Sequence, residues 1–375
     1  MNMKPVFRIC LLTLLTSHVV SAGDWPAYRH DAARSGFTSE PLPDSLTLCW
    51  SYQAPHPPRT AWPRSQRMTF DRAAHPIVAN GRLFFGDSVT GTIEALNAAT
   101  GVRQWSFPTR APVRFAPLWH RGKIYAASDD GFLYCLNETD GSLLWKKRGG
   151  PADAMALGNA RMISRWPARG GPVVYDNIVY FAAGIWPSDG ISLYALDPDT
   201  GETLWVNDTA GSIYMGQPHG GAYAKSGVAA QGYLAASEKQ IFMATGRGVP
   251  AAFDRATGEF QYFHLQANTR LGGADIVLSD SSFINNGYAF DQQAGATGQK
   301  LGIGPTVATP GGLVCSVKDK RLEFKWEDLE KVDRRGKPFT VRGVKQLFST
   351  AQPTGTSAVV ALDKIVVGSS GKVAL

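Results

Sequence analysis

The side chains able to do chemistry in this chain are scattered. Past residue 22 the histidines are His30, His56, His75, His120, His219 and His264, and no two keep the spacing that sets a metal pair on one helix face. Cys49, Cys135 and Cys315 are far apart and odd in number, so they imply neither a disulfide framework nor a C-x-x-C-H haem site. No G-x-S-x-G elbow or P-loop occurs. "GRGVPAAFDRATG" (246–258) is glycine-rich, but it sits within a strand pattern, which argues against a phosphate cradle. The exception is a donor-rich set carried mainly by two polar, glycine-rich insertions, "ALGNARMISRWPARGG" (156–171) and "IYMGQPHGGAYAKSGVAAQGY" (213–233). Arg165, Trp166, Gln217, His219 and Arg247 could converge as a binding pocket of hydrogen-bond donors beside a flat indole. The alternative is that they satisfy loop backbone while Trp166 and Trp186 pack. No metal site and no catalytic residue is assigned.

What positions these residues is a repeat. "ALNAATGVRQW" (95–105) returns as "CLNETDGSLLW" (135–145) and "ALDPDTGETLW" (195–205), and in worn form within 232–262, where Tyr262 replaces the tryptophan. Gly101, Gly141, Gly201 and Gly258 stand 40, 60 and 57 residues apart, the period of a four-stranded propeller blade with insertions. Each copy reads as four short strands joined by turns such as Asn80–Gly81. In the last turn Asn97, Asn137, Asp197 and Asp254 supply a short side-chain oxygen for backbone N–H groups two residues on. The four glycines then take a positive φ that a Cβ would block. Trp105, Trp145 and Trp205 follow on the outer strand, each able to wedge between neighbouring blades. Burying such an indole stabilises by an upper bound of about 4–6 kcal/mol. The expected fold is therefore all-β: a propeller of four-stranded antiparallel blades.

Composition agrees. Gly 40 and Pro 23 of 375 residues exceed the ordinary share of about 12%. A formal net charge of +7 without a dense basic run speaks against nucleic-acid binding. Residues 1–22 read as a secretory leader: Lys4 and Arg8, an apolar core too short to span a bilayer, then "VSA" before Gly23. No later run is long and apolar enough to cross a membrane. The expected organisation is a leader at 1–22, a lead-in at 23–45 and a propeller over 46–375. Its clear blades are 75–107, 116–147, 171–207 and 230–264, followed by about one irregular blade in 271–356 and a last partial blade at 357–375. Val317–Lys345, rich in both charges, is expected to be a solvated insertion.

The frame A-x-D-x-x-T-G-x-x-x-W resembles the tryptophan-docking motif of quinoprotein-type propellers, the pyrroloquinoline quinone (PQQ) repeat. That family includes bacterial alcohol dehydrogenases and the outer-membrane assembly scaffold BamB. "GDWPAYRHDAARSGFT" (23–38) resembles the lead-in of its secreted members. For an enzyme of the family the resemblance would imply PQQ in the central channel with Ca²⁺ held by Glu, Asn and Asp. The vicinal cysteine pair of the alcohol dehydrogenases is missing here, and the acidic residues near the motif are turn residues. The resemblance thus implies the scaffold more than the cofactor. A blade count of about six falls below the seven or eight usual in the family. It implies either a chain cut mid-blade near Leu375, the favoured reading, or a ring closed by a Leu46–Tyr52 strand. The expected function is a secreted or periplasmic, non-catalytic binding or assembly scaffold that takes a protein or polymer on its loop face. The alternatives are a PQQ-dependent oxidoreductase and the N-terminal module of a longer enzyme.

Overall fold

The alternation of side chains along short strands dictates the architecture. In Lys123–Ala127, Ile124 and Ala126 point to one face while Tyr125 and Ala127 point to the other, and all four are buried. A strand buried on both faces needs a sheet on each side, and a ring of sheets supplies them. The computed structural model describes residues 23–61, 75–158, 160–217, 221–246, 248–265, 273–295, 298–333, 335–353, 355–369 and 372–374. Among these, strands are the regular structure apart from a 3₁₀ turn at Pro187–Asp189.

Among the described residues seven blade sheets follow in chain order, spanning 77–108, 118–148, 170–207, 235–264, 277–300, 306–351 and 357–374. Within each, consecutive strands pair antiparallel. Six apolar clusters hold the array, each between two consecutive blades. Two hairpins, Met155–Gly158 with Arg161–Ser164 and Ile213–Gly216 with Tyr223–Ser226, interrupt the connections entering the third and fourth blades. No helix among the described residues is long and apolar enough to cross a membrane.

The repeated frame builds the joint between blades. Asp197 Oδ1 accepts from the N–H groups of Asp199 and Thr200 at 2.9 and 2.8 Å, and Asn97, Asn137 and Asp254 make the same turn. Gly141 sits at φ 70°, where a Cβ would come within 2.6 Å of the Trp105 indole of the preceding blade. Trp105 Nε1 donates to Glu138 O at 2.9 Å, inside that same turn. Trp145 covers Gly201 and Trp205 covers Gly258 in the same way. Tyr262 does so over Gly295 of the fifth blade, its hydroxyl donating to Gln292 O at 2.7 Å.

Three expectations need correction. Leu46–Tyr52 forms no strand; this segment finds no backbone ladder among the described residues, and it meets the first blade through Trp50 and through Tyr52, whose ring lies 5.2 Å from that of Phe85. The Trp50 indole covers Gly101 and donates to Ala98 O at 2.9 Å, filling the docking position of the first blade. Residues 271–356 hold two blade sheets rather than about one, because the fifth blade uses an unrecognised turn at Asp291–Gly295. Val317–Lys345 is not a purely solvated insertion: it lies largely in the hairpin Lys320–Val332 with Pro338–Ala351, which sends Phe324 and Val344 into the core between the fifth and sixth blades.

The lead-in is the unexpected element. From Trp25 to Thr38 it runs around the axis and bonds to inner strands in turn. Trp25 bridges Val78 of the first blade, Pro26 O accepts from Trp119 of the second, and Ala32 O from Ala236 of the fourth. Ala33, Ser35 and Gly36 carbonyls accept from Leu278, Ala308 and Val360 of the fifth, sixth and seventh. Phe37–Thr38 pairs parallel with Val360–Ala361. Arg34, 1% exposed, donates to Leu234 O and Pro172 O at 2.8 Å each, and burial pushes its guanidinium down to about 10.

Candidate functional site: the loop end of the axis

In up-and-down blades the connections between blades and the turns between second and third strands emerge at one end. Here that end gathers both hairpin insertions, Pro187–Asp189 and the Asp129–Gly131 turn, opposite the end followed by the lead-in. Between the two ends the axis is filled by aromatic rings. Tyr28 of the lead-in stacks on Tyr233 with centroids 3.6 Å apart, and Phe115 meets Tyr233 edge-on at 4.9 Å. Ala116 N–H donates to the Tyr233 hydroxyl at 2.6 Å. Burial raises the Tyr233 pKa well above the usual phenol value, and the hydroxyl also shares a hydrogen bond with His75 Nδ1 at 3.0 Å.

Above this stack lies a cavity of about 320 Å³. At its base Asp129 is gripped on both oxygens, by Arg114 Nε at 2.6 Å and Arg169 Nη1 at 3.4 Å, with all three side chains 4% exposed or less. Arg114 and Arg169 each stand just before an inner strand, Leu118–His120 and Gly170–Tyr175, which aims both inward. The hairpin Met155–Ser164 forms one wall: Ser164 N–H donates to Asp129 O at 2.8 Å, and Arg161 Nη1 reaches Val89 O of the first blade at 2.5 Å. Ile163, Ile185, Leu157 and Trp186 make the rest apolar, the last two largely exposed at the mouth.

Of the expected pocket, the structure brings two residues together. Arg165 lies over the Trp166 ring at 5.2 Å and pairs with Asp189 at 3.2 Å, while Trp166 Nε1 donates to Asp189 O at 2.5 Å. Arg165 lines the cavity, and Trp166 is buried behind it. Gln217 does not join them: its Nε2 donates to Met215 O at 3.0 Å within its own hairpin. His219 and Arg247 lie outside the described residues. Arg114, Asp129 and Arg169 are not among the residues that the sequence singles out; Asp129 opens "DDG" (129–131), a turn-forming run.

A family model described as outer membrane protein assembly factor BamB matches residues 59–300, more than half of the chain. The chain belongs to this family of PQQ-repeat propellers. BamB of Moraxella catarrhalis superposes with a TM-score of 0.50 at 16% identity, covering 78% of this chain and 80% of that one, a likeness of fold. Among curated relatives, tetrathionate hydrolase of Acidithiobacillus ferrooxidans is 26% identical over 297 residues, 72% of this chain and 46% of that protein. Quinoprotein ethanol dehydrogenase of Pseudomonas putida is 28% identical over 172 residues, 43% of this chain and 25% of that protein. The chain thus spans less than half the length of these relatives.

The axis of this PQQ-repeat propeller is filled by the chain's own rings. The flat surfaces there already stack on one another as Tyr28, Tyr233 and Phe115. Both oxygens of Asp129 are held by guanidinium groups, and no set of three His, Cys, Asp or Glu among the described residues could hold a metal ion.

Proposed function

We propose that this PQQ-repeat propeller is an exported, non-catalytic binding scaffold whose loop end captures a protein or polymer partner. One observation carries the reading. The two hairpins that break the blade period, with the 3₁₀ turn beside them, hold apolar side chains out to solvent: Leu157, Met162, Trp186, Tyr214 and Tyr223, each more than half exposed. Tyr214 and Tyr223 stack at 5.8 Å across their hairpin, so the rings are preorganised. Exposed aromatics on rigid hairpins cost solvation without adding to the core, which is the signature of an interaction surface. The leader at 1–22 and the assembly-factor description of the family support export and a scaffold role. The interior of the cavity offers guanidinium donors and apolar walls, a binding chemistry.

The test is photo-crosslinking in the native cell, with the reactive residue placed at Leu157 or Tyr214 and a control at Arg103 on an outer strand. The expected result is a discrete adduct from the loop end alone. Adducts absent from both loop positions, or dye reduction by the purified protein on adding PQQ and Ca²⁺ with an alcohol, would replace this reading with an enzymatic one.

A further inference from the structure

A second surface lies on the sixth blade, at the end of the ring opposite the loop-end cavity. In the other blades the described third and fourth strands run from 2 to 6 residues. In the sixth they run 13 and 14, Lys320–Val332 and Pro338–Ala351. The second strand of that sheet pairs no further than Leu313 with Phe324. Past it the register continues from Trp326 with Val344 to Val332 with Pro338, a two-stranded ribbon roughly 20 Å long. Its turn joins the same strands as the Asn97–Gly101 turn and so projects at that end.

The base of the ribbon is braced on the fifth blade. Trp326 Nε1 donates to Ser279 Oγ at 2.8 Å, Arg342 pairs with Asp280 at 2.7 Å, and the Gln299 side chain bonds both the N–H and the O of Val344. The carboxylates along the ribbon are engaged: Glu327 with Lys345 at 3.4 Å, Asp328 with Arg342 at 3.3 Å, and Glu330 with the Thr340 hydroxyl at 2.7 Å. The tip is different. Lys331, Arg335 and Lys337 are exposed there, against the carboxylate of Asp333, which accepts from the N–H groups of Arg335 and Lys337 at 2.8 and 2.9 Å. Beside them Val332 is 64% exposed and Phe339 45%. The register sets Val332 and Pro338 on one face and Lys331 and Phe339 on the other, so apolar groups lie on both sides of the tip.

We propose that this tip docks on an anionic lipid surface, with its cations among the headgroups and Val332, Pro338 and Phe339 at the boundary of the acyl chains. A few cations alone hold such a surface weakly, and so does a small apolar tip; the two signals together give firm peripheral binding. The form of the tip favours lipid over protein. A protein groove would cover one face of the ribbon and leave the apolar groups of the other in water, whereas a fluid layer closes around both.

Cosedimentation with vesicles of phosphatidylcholine mixed with phosphatidylglycerol tests this, beside vesicles of phosphatidylcholine alone. The expected result is retention by the mixed vesicles only, weakened by added salt. Each cation removed should cost about fivefold, so Arg335→Gln with Lys337→Gln should lower the partition about tenfold or more. Phe339→Ser should lower it while keeping the salt dependence. These residues are exposed, and an unchanged thermal midpoint in the variants shows the blade intact. An environment-sensitive dye on Val332→Cys should shift to the blue with the mixed vesicles. Equal retention by both vesicle types, no retention, or retention indifferent to the tip variants overturns the proposal. So does a tip that crosslinks to an acidic protein while the chain ignores vesicles.

Discussion

Tyr28 and Tyr233 stack nearly parallel, 8° apart, across the axis of the ring. One belongs to the lead-in and the other to the stretch entering the fourth blade, so the pair ties the lead-in into the centre of the molecule. Arg34 anchors the same segment by donating to carbonyls of two separate segments, at Pro172 and Leu234. Arg34→Ala would leave those buried carbonyls without their donor. A loss of about 3 kcal/mol or more is expected, read from the shift in the denaturant midpoint. A shift under half a unit of that size would show the lead-in to be ornamental.

The docking indoles predict a contrast between two glycines. Gly81 and Gly141 share φ 70°, so alanine at either pays roughly 1–2 kcal/mol for the left-handed conformation. Around Gly81 a Cβ meets nothing within 4 Å, whereas at Gly141 it would strike the Trp105 ring. Gly141→Ala should therefore destabilise clearly more than Gly81→Ala in matched urea melts. Equal losses would mean that the indole moves aside at little cost.

The parts of this structure legible in the sequence are those that repeat. Asn or Asp, then Gly, then Trp names a turn, a positive φ and a covering ring, all within one short frame, and local chemistry enforces each. The fifth blade escaped because its own frame, Asp291 to Gly295, reaches Gln299 where the earlier copies carry an aromatic ring. The lead-in escaped for a deeper reason: its bonds join Trp25–Thr38 to strands as distant as Val360, and carbonyls that accept them leave no mark on residue type. The site was half legible for the same cause. Arg165 and Trp166 are neighbours in the chain, but Arg114, Asp129 and Arg169 converge only once blades pack.

Acid should weaken the last turns of the third and fourth blades. The carboxyls of Asp197 and Asp254 lie below the usual range, chiefly because the backbone N–H groups of Thr200 and Thr257 bond to the ionised form. A depressed folded pKa gives stability that is present above the unfolded value of about 3.9 and lost as pH falls through the folded one. Both groups are exposed, so the effect is modest, under about 1 kcal/mol each after screening. Asn97 and Asn137 make the same turn without a proton to take up. The double variant Asp197→Asn with Asp254→Asn should keep the neutral-pH midpoint and flatten its fall from about pH 5 downward. An unchanged slope would assign the acid sensitivity elsewhere.

Asp129 sets the character of the cavity base. Its carboxylate lies between two buried guanidinium groups, and removing it leaves both facing each other across a void. A buried pair broken on one side costs about 3–5 kcal/mol, because the desolvated charge that remains loses its counter-ion. Asp129→Ala should show a loss of that order in chemical denaturation. Asp129→Asn keeps the shape and two acceptor lone pairs on one atom but no charge, so its loss should lie between wild type and alanine. Chloride or sulfate should then stabilise Asp129→Ala more than the wild type, since an anion can take the vacated place between the two arginines. Identical salt responses for the two proteins would show that the cavity base does not select for negative charge, and that its role is limited to joining the first three blades.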